Sequence, residues 1–185
     1  MQRGIRRMEI FKECMNYQVF LLLLKKALER YGGIVHAYCL MTNHYHLLLE
    51  TEQQEVWKIM KMISHQYAMY YNNSNGYMGH LFEGRYKACI VRDDTYFLQT
   101  SRYIHLNPVK TGMVAHPEDY RWSSYCTMIG LSDDRLTETN KTLAYFKSPN
   151  KMRYREFVED IGHKYVVDEE MIRKEMGENE IWLPW

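Results

Sequence analysis

The sequence predicts an α+β fold, an antiparallel sheet with helices on its faces, and three observations carry the prediction. Two short apolar runs, IVHAYCLM (34–41) and HYHLLLE (44–50), stand on either side of Thr42-Asn43. Segments of helical spacing lie before and after that pair. A further stretch with strand-like alternation, HLFEGRYKACIV (80–91), precedes a capped helix. After an arginine-bearing opening, the order reads helix, strand, strand, helix, strand, helix.

Each element has a local reason. MQRGIRRMEIF holds three arginines and no apolar period, which reads as a loop or a strand end. Residues 14–30 space Met15, Val19, Leu22, Leu23 and Lys26 as a helix does, and Gly32-Gly33 stops it. Thr42-Asn43 has turn chemistry, so the two apolar runs read as a hairpin with His44 and His46 beside its turn. From Gln53 to about Tyr71, the set Val56, Ile59, Met60, Ile63, Tyr67 and Tyr70 recurs at helical spacing until the polar NNSNG loop. Asp93-Asp94 can cap a third helix, TYFLQTSRYIHLN, which Pro108 is expected to end. Beyond Gly112, HPEDYRWSSY reads as a connection pinned by aromatics, with Trp122 and Tyr125 as packing anchors. KMRYREFVEDIG reads as a short helix, and the last twenty residues are acidic and expected to be loosely held.

The bulk composition narrows the function classes. With 185 residues, 46% hydrophobic and 25% charged, the chain is of ordinary globular composition and can bury a real core. Cys14, Cys39, Cys89 and Cys126 are far apart, form no CxxC pair and follow no secretory leader, so a cytoplasmic location is expected. The apolar patch Val19 to Leu24 is too short to cross a bilayer, and no membrane partner is expected. Net charge is +1, but residues 1–110 hold fourteen Lys and Arg against nine Asp and Glu, whereas residues 111–185 hold ten against fourteen. The first part is therefore the one suited to a polyanion.

In a strand, residues i and i+2 share a face, so His44 and His46 point one way while Tyr45 and Leu47 point the other. Two imidazoles on a rigid strand can chelate a borderline metal and leave positions open for substrate oxygens. Half-buried structural histidines would show the same spacing. Tyr103 and Asn107 stand at i and i+4 of the third helix, on one face. Asn107 suits either a third, amide-oxygen ligand or a helix C-cap, and Tyr103 either a phenol about one helical turn from the metal or a core residue. His105, about 200° around the helix from Tyr103, should face away from any metal.

MTNHYHLLLE, GHLFEGRYKACIV, RYIHLNPVKTGMV and HPEDYRWSSY, in this order and at these separations, closely resemble the single-tyrosine HUH transposases, in particular their REP-associated tyrosine transposase branch. The likeness covers roughly residues 1–126 as one transposase domain. Residues 127–185 resemble the family's variable C-terminal extension, partly helical with an acidic tail. The resemblance implies a ferredoxin-like sheet with the histidines on a central strand and the tyrosine helix lying across it. It also implies that His44, His46 and Asn107 hold Mg²⁺ or Mn²⁺, and that Tyr103 is the nucleophile. Tyr103 would nick single-stranded or hairpin DNA through a 5′-phosphotyrosine and allow strand transfer. Arg85 and Lys87, at i and i+2 of the third strand, are expected to follow DNA phosphates. Arg102 neighbours the nucleophile, and Arg3, Arg6 and Arg7 are expected to reach a hairpin stem. In the family a further strand precedes the segment matched by MQRGIRRMEIF, so the first strand is expected to be truncated here, exposing its neighbour's backbone. A homodimer sharing its active sites and a self-sufficient chain are both compatible with the resemblance. Two rival readings use the same residues: a non-catalytic protein that binds structured DNA, and a zinc hydrolase indifferent to Tyr103.

Overall fold

The apolar runs around Thr42-Asn43 form the centre of the sheet. In the computed structural model, which describes residues 1–51 and 56–160, β1 spans Gln2–Arg3, β2 Gly33–Leu40 and β3 His44–Thr51. Both β1 and β2 pair antiparallel with β3, giving the order β1-β3-β2. β3 is the central strand, and its alternation divides the molecule. Tyr45, Leu47 and Leu49 pack into one core, while Leu48 packs into a second on the opposite face. The face carrying Leu48 is also the face of His44 and His46.

The first core lies under α1 (Cys14–Tyr31) and α2 (Val56–Asn75). A capping box between Glu13 and Asn16 starts α1, and Gly32, at φ 71, ends it in the left-handed conformation that glycine adopts without strain. Its buried face is Tyr17, Phe20, Leu24, Ala27 and Leu28, whereas Met15 and Leu22 are exposed. The helical spacing of Met15, Val19 and Leu22 thus marks the helix but not the side it buries. The aromatic residues decide that: Phe20 packs against Phe11, Tyr45 and Tyr67, and Tyr17 stacks on Trp122 at 4.3 Å. Burying each such ring stabilises the fold by roughly 1.5–3 kcal/mol. On α2 the buried set Ile59, Met60, Ile63 and Tyr67 follows the expected spacing.

Residues 80–91 do not form the third strand that their alternation suggests. Their backbone lies beside residues 1–5 through Glu83 N to Arg3 O (2.9 Å), Ile5 N to Leu81 O (2.9 Å) and Lys87 N to Met1 O (2.8 Å), with a single bridge between Gly4 and Phe82. Alternation alone makes no strand without a neighbour to complete the ladder, and β1 offers only two residues.

On the second face lies α3 (Asp94–Lys110), capped by Asp93, whose side chain accepts the Tyr96 N–H at 2.8 Å. Pro108 does not end it. The proline sits in the last turn, where its missing N–H costs one bond, and the helix closes beyond it by Thr111 N to Asn107 O and Gly112 N to Val109 O. The chain then returns to β2: Trp122 O accepts from Leu40 N, and Ser124 N donates to Tyr38 O. This HPEDYRWSSY segment is pinned by aromatics as its composition suggests, with Tyr125 wholly buried. α4 (Tyr125–Met128), α5 (Asn140–Ala144) and α6 (Asn150–Glu159) follow, and Tyr125, Leu143, Tyr154 and Val158 join Met128 in a third core. α6 packs on α3. The acidic last twenty residues lie outside the described ones. No described helix is long and apolar enough to cross a membrane.

Candidate active site

The hairpin turn sets the two histidines. His44 and His46 share a face of β3 with ring centroids 5.0 Å apart and planes nearly perpendicular. Asn43, the last turn residue, donates from its amide nitrogen to Arg7 O at 3.2 Å, which turns its side-chain oxygen toward Nδ1 of His44 at 2.6 Å. An acceptor there requires Nδ1 to carry the proton, so Nε2 of His44 keeps its lone pair for a ligand. Burial, followed by the positive charges of Arg3 and the N-terminus, lowers the His44 pKa to about 4. Burial also holds His46 well below its ordinary value, with the charges of the N-terminus, His44 and Arg3 acting in the same direction. Both imidazoles are therefore neutral near pH 7, the state that a metal ligand needs.

α3 brings the phenol to this pair. The Tyr103 ring stands edge-on to His46, with centroids 5.5 Å apart at 86°, and Lys110 Nζ lies 5.1 Å from the Tyr103 centroid on the ring face. Asn107 is buried one turn beyond Tyr103, and its amide nitrogen reaches back to the Tyr103 carbonyl at 3.4 Å. Asn107 is not the C-cap, because the helix continues past it to Thr111. His105 faces the other way, as its position around the helix suggests. It is fully buried, with Nδ1 2.8 Å from Tyr154 Oη and Nε2 2.8 Å from Ser124 Oγ. Two neutral imidazoles on one face of a strand form a donor pair that suits a divalent cation and leaves room for oxygen ligands. Among the described residues no group of three or more His, Cys, Asp or Glu gathers that could hold a metal ion, at this pair or elsewhere.

The expected DNA contacts divide. Arg6, Arg7, Arg85 and Lys87 are exposed and collect along one edge of the sheet, because residues 1–5 and 81–87 run side by side next to β3. Arg6 and Arg7 hold φ values of 51° and 61°, a conformation that costs a non-glycine residue roughly 1–2 kcal/mol. Arg3 sits directly opposite His44. Arg102 is not part of this group. Its guanidinium donates to the carbonyls of Phe157 (2.8 Å), Val158 (3.2 Å) and Asp160 (2.7 Å), where it caps the end of α6. Asn43 and Lys110 escape a reading of the sequence. Asn43 passes for a turn residue, and Lys110, seven residues after Tyr103 and so on the same face, follows a proline that reads as a helix end.

The sequence model of the family described as "Transposase IS200 like" matches residues 2–107, more than half of the chain and including both histidines, Tyr103 and Asn107. The chain belongs to the IS200-like transposase family. Among solved structures, this family member is similar to "Structure of the REP associates tyrosine transposase bound to a REP hairpin". The match has a TM-score of 0.55 and 17% identity, and covers 75% of this chain and 79% of that one. At that identity the likeness is one of fold. It supports an α+β architecture for the IS200-like transposase chain, with the tyrosine helix across the sheet. No curated protein matches it.

Proposed function

We propose that this chain nicks and rejoins single-stranded or hairpin DNA, with Tyr103 as nucleophile and His44, His46 and Asn107 as the ligands of Mg²⁺ or Mn²⁺. The observation that carries the reading is the contact of the Tyr103 ring with His46 within one chain, at a centroid distance of 5.5 Å. That contact supports a phosphate bound beside His46 being attacked by Tyr103 of the same chain.

Tyr103 Oη attacks the phosphorus and gives up its proton. The bond to the 3′ oxygen breaks in line, and that oxygen leaves as a free hydroxyl after taking a proton. The product is a 5′-phosphotyrosine. A phenol is a better leaving group than a sugar hydroxyl, so an attacking 3′ hydroxyl reverses the step and joins strands without ATP. When bound, Mg²⁺ or Mn²⁺ supplies Lewis acidity toward a phosphoryl oxygen. Asn43 holds the His44 tautomer, and Lys110 holds the ring face of Tyr103. The exposed cations Arg6, Arg7, Arg85 and Lys87 would take backbone phosphates of the DNA beside the site.

The test is covalent capture. The full chain is incubated with Mn²⁺ and a pool of labelled hairpin oligonucleotides bearing randomised single-stranded flanks. A protein–DNA adduct that survives denaturation and disappears in Tyr103→Phe is expected. Hairpin binding without an adduct would identify a DNA-binding module instead, and cleavage that persists in Tyr103→Phe would identify a hydrolase.

A further inference from the structure

The residue that stands across from the first histidine has chemistry of its own. Arg3 on β1 is the Cα partner of His44 on β3, and side chains directly opposite in an antiparallel pair emerge on the same face. Its neighbour Gln2 confirms the alternation, since its side-chain oxygen accepts from Tyr45 Oη at 2.6 Å and from Ser64 Oγ at 2.7 Å, both on the α1 and α2 side. Arg3 therefore rises on the side of His44, His46 and Tyr103. Its Nε is buried and has no hydrogen-bond partner among the described residues. A buried guanidinium donor left unmatched is costly, and native proteins keep few of them. The backbone around it is fixed. Glu83 N donates to Arg3 O and Gly4 N to Asn43 O, both at 2.9 Å. At Gly4 the chain passes so close to its neighbours that a Cβ would stand 2.4 Å from the Met8 carbonyl and 2.7 Å from a methyl of Ile10.

We propose that Arg3 is a catalytic residue of this site, the accessible part of its guanidinium, on the face of His44 and His46, being the donor that grips the scissile phosphate while Tyr103 attacks. The proposal rests on the nicking reaction proposed above and moves Arg3 from a hairpin-stem contact to the reacting centre. A planar, permanently charged fork matches two phosphoryl oxygens. Standing opposite His44, Arg3 is a side-chain cation placed to meet the charge that builds on those oxygens as the new bond forms. Holding that donor rigid beforehand is what makes it effective in the transition state rather than in simple binding.

The experiment compares the full wild-type chain with Arg3→Met and Arg3→Lys, using whichever hairpin from the captured pool forms the adduct. Three quantities are read: the single-turnover rate of adduct formation at saturating DNA with Mn²⁺, hairpin affinity without metal, and the urea midpoint. Arg3→Met should slow the saturated rate by about 10²-fold, as losing one transition-state donor does elsewhere. Its hairpin affinity should be unchanged and its urea midpoint no lower, because an orphaned donor has been removed. Arg3→Lys should recover part of the rate. An unchanged saturated rate with weakened affinity would return Arg3 to a stem contact and overturn the proposal, as would a rate loss that tracks a lowered urea midpoint. If the wild-type chain forms no adduct with any member of the pool, the nicking reaction itself fails and this role fails with it.

Discussion

Tyr154→Phe isolates the contact that fixes the tyrosine helix. Tyr154 Oη is 2.6 Å from Ser101 Oγ and 2.8 Å from His105 Nδ1, and Tyr154, Ser101 and His105 are all wholly buried. Phenylalanine keeps the ring in its contacts with Phe146 and Phe157 but leaves two sealed polar atoms each short of a partner. A buried group left unmatched costs roughly 1–3 kcal/mol. The Ser101 hydroxyl can rotate to a carbonyl of its own helix, which recovers part of its share. The loss should therefore be about 2–3 kcal/mol, a midpoint shift of about 1 M or more in urea at an m value near 2 kcal/mol/M. Tyr125→Phe is the internal comparison. Its hydroxyl donates to Glu159 at 2.6 Å, but that carboxylate is 31% exposed and can rehydrate, so about 1 kcal/mol is expected. Equilibrium urea unfolding of the two variants settles the order. A Tyr154→Phe cost below that of Tyr125→Phe would mean that the Ser101–Tyr154–His105 chain is not sealed, and the account of how α3 is held would be wrong.

Two further outcomes follow from the same geometry. Burial sets the folded pKa of His105 at about 3 and that of His44 at about 4, against 6.5 in the unfolded chain, so unfolding takes up protons between those values. Stability is then fully present above pH 6.5 and falls as pH drops toward the folded values, by up to about 1.4 kcal/mol per pH unit for each histidine. Urea midpoints measured from pH 7 to pH 5 should decline; a flat profile would show that these imidazoles are not held neutral. Asn43→Leu removes the acceptor that fixes His44, and Mn²⁺ affinity by titration calorimetry should weaken by about 10–100-fold. Unaltered affinity would remove Asn43 from the site.

What the sequence revealed and what it hid have physical causes. The hairpin, the two helices around it and the shared face of His44 and His46 follow from periods of two and 3.6, which are local properties of the chain. The buried side of α1 is not local: Met15 and Leu22 have the right spacing, but Tyr17 and Phe20 meet the larger aromatic surface of Phe11, Tyr67 and Trp122. Residues 80–91 alternate as a strand does, yet strand formation depends on a partner, and β1 presents two residues. Arg85 and Lys87 still arrive at a basic edge, by lying next to residues 1–5 rather than by sharing a strand face. Pro108 looks like a helix end because its cost is real, but in a final turn only one bond is lost, and that one additional turn carries Lys110 to Tyr103. Arg102 is adjacent to Tyr103 in sequence, yet its guanidinium goes to the carbonyls at the end of α6, since one step along a helix rotates a side chain by about 100°.

The alternation of β3 turns the connection at 41–43 into a ruler. Adding one residue there would exchange the two sides of the strand, driving both imidazoles among Phe20 and Phe82 and presenting the Tyr45 phenol to α3. Adding two would restore the sides yet slide the pair by nearly 7 Å along the sheet, past the reach of residue 103. Length variation in such a chain is therefore confined to the other end of the hairpin and to the segments outside it, whatever substitutions the turn itself accepts.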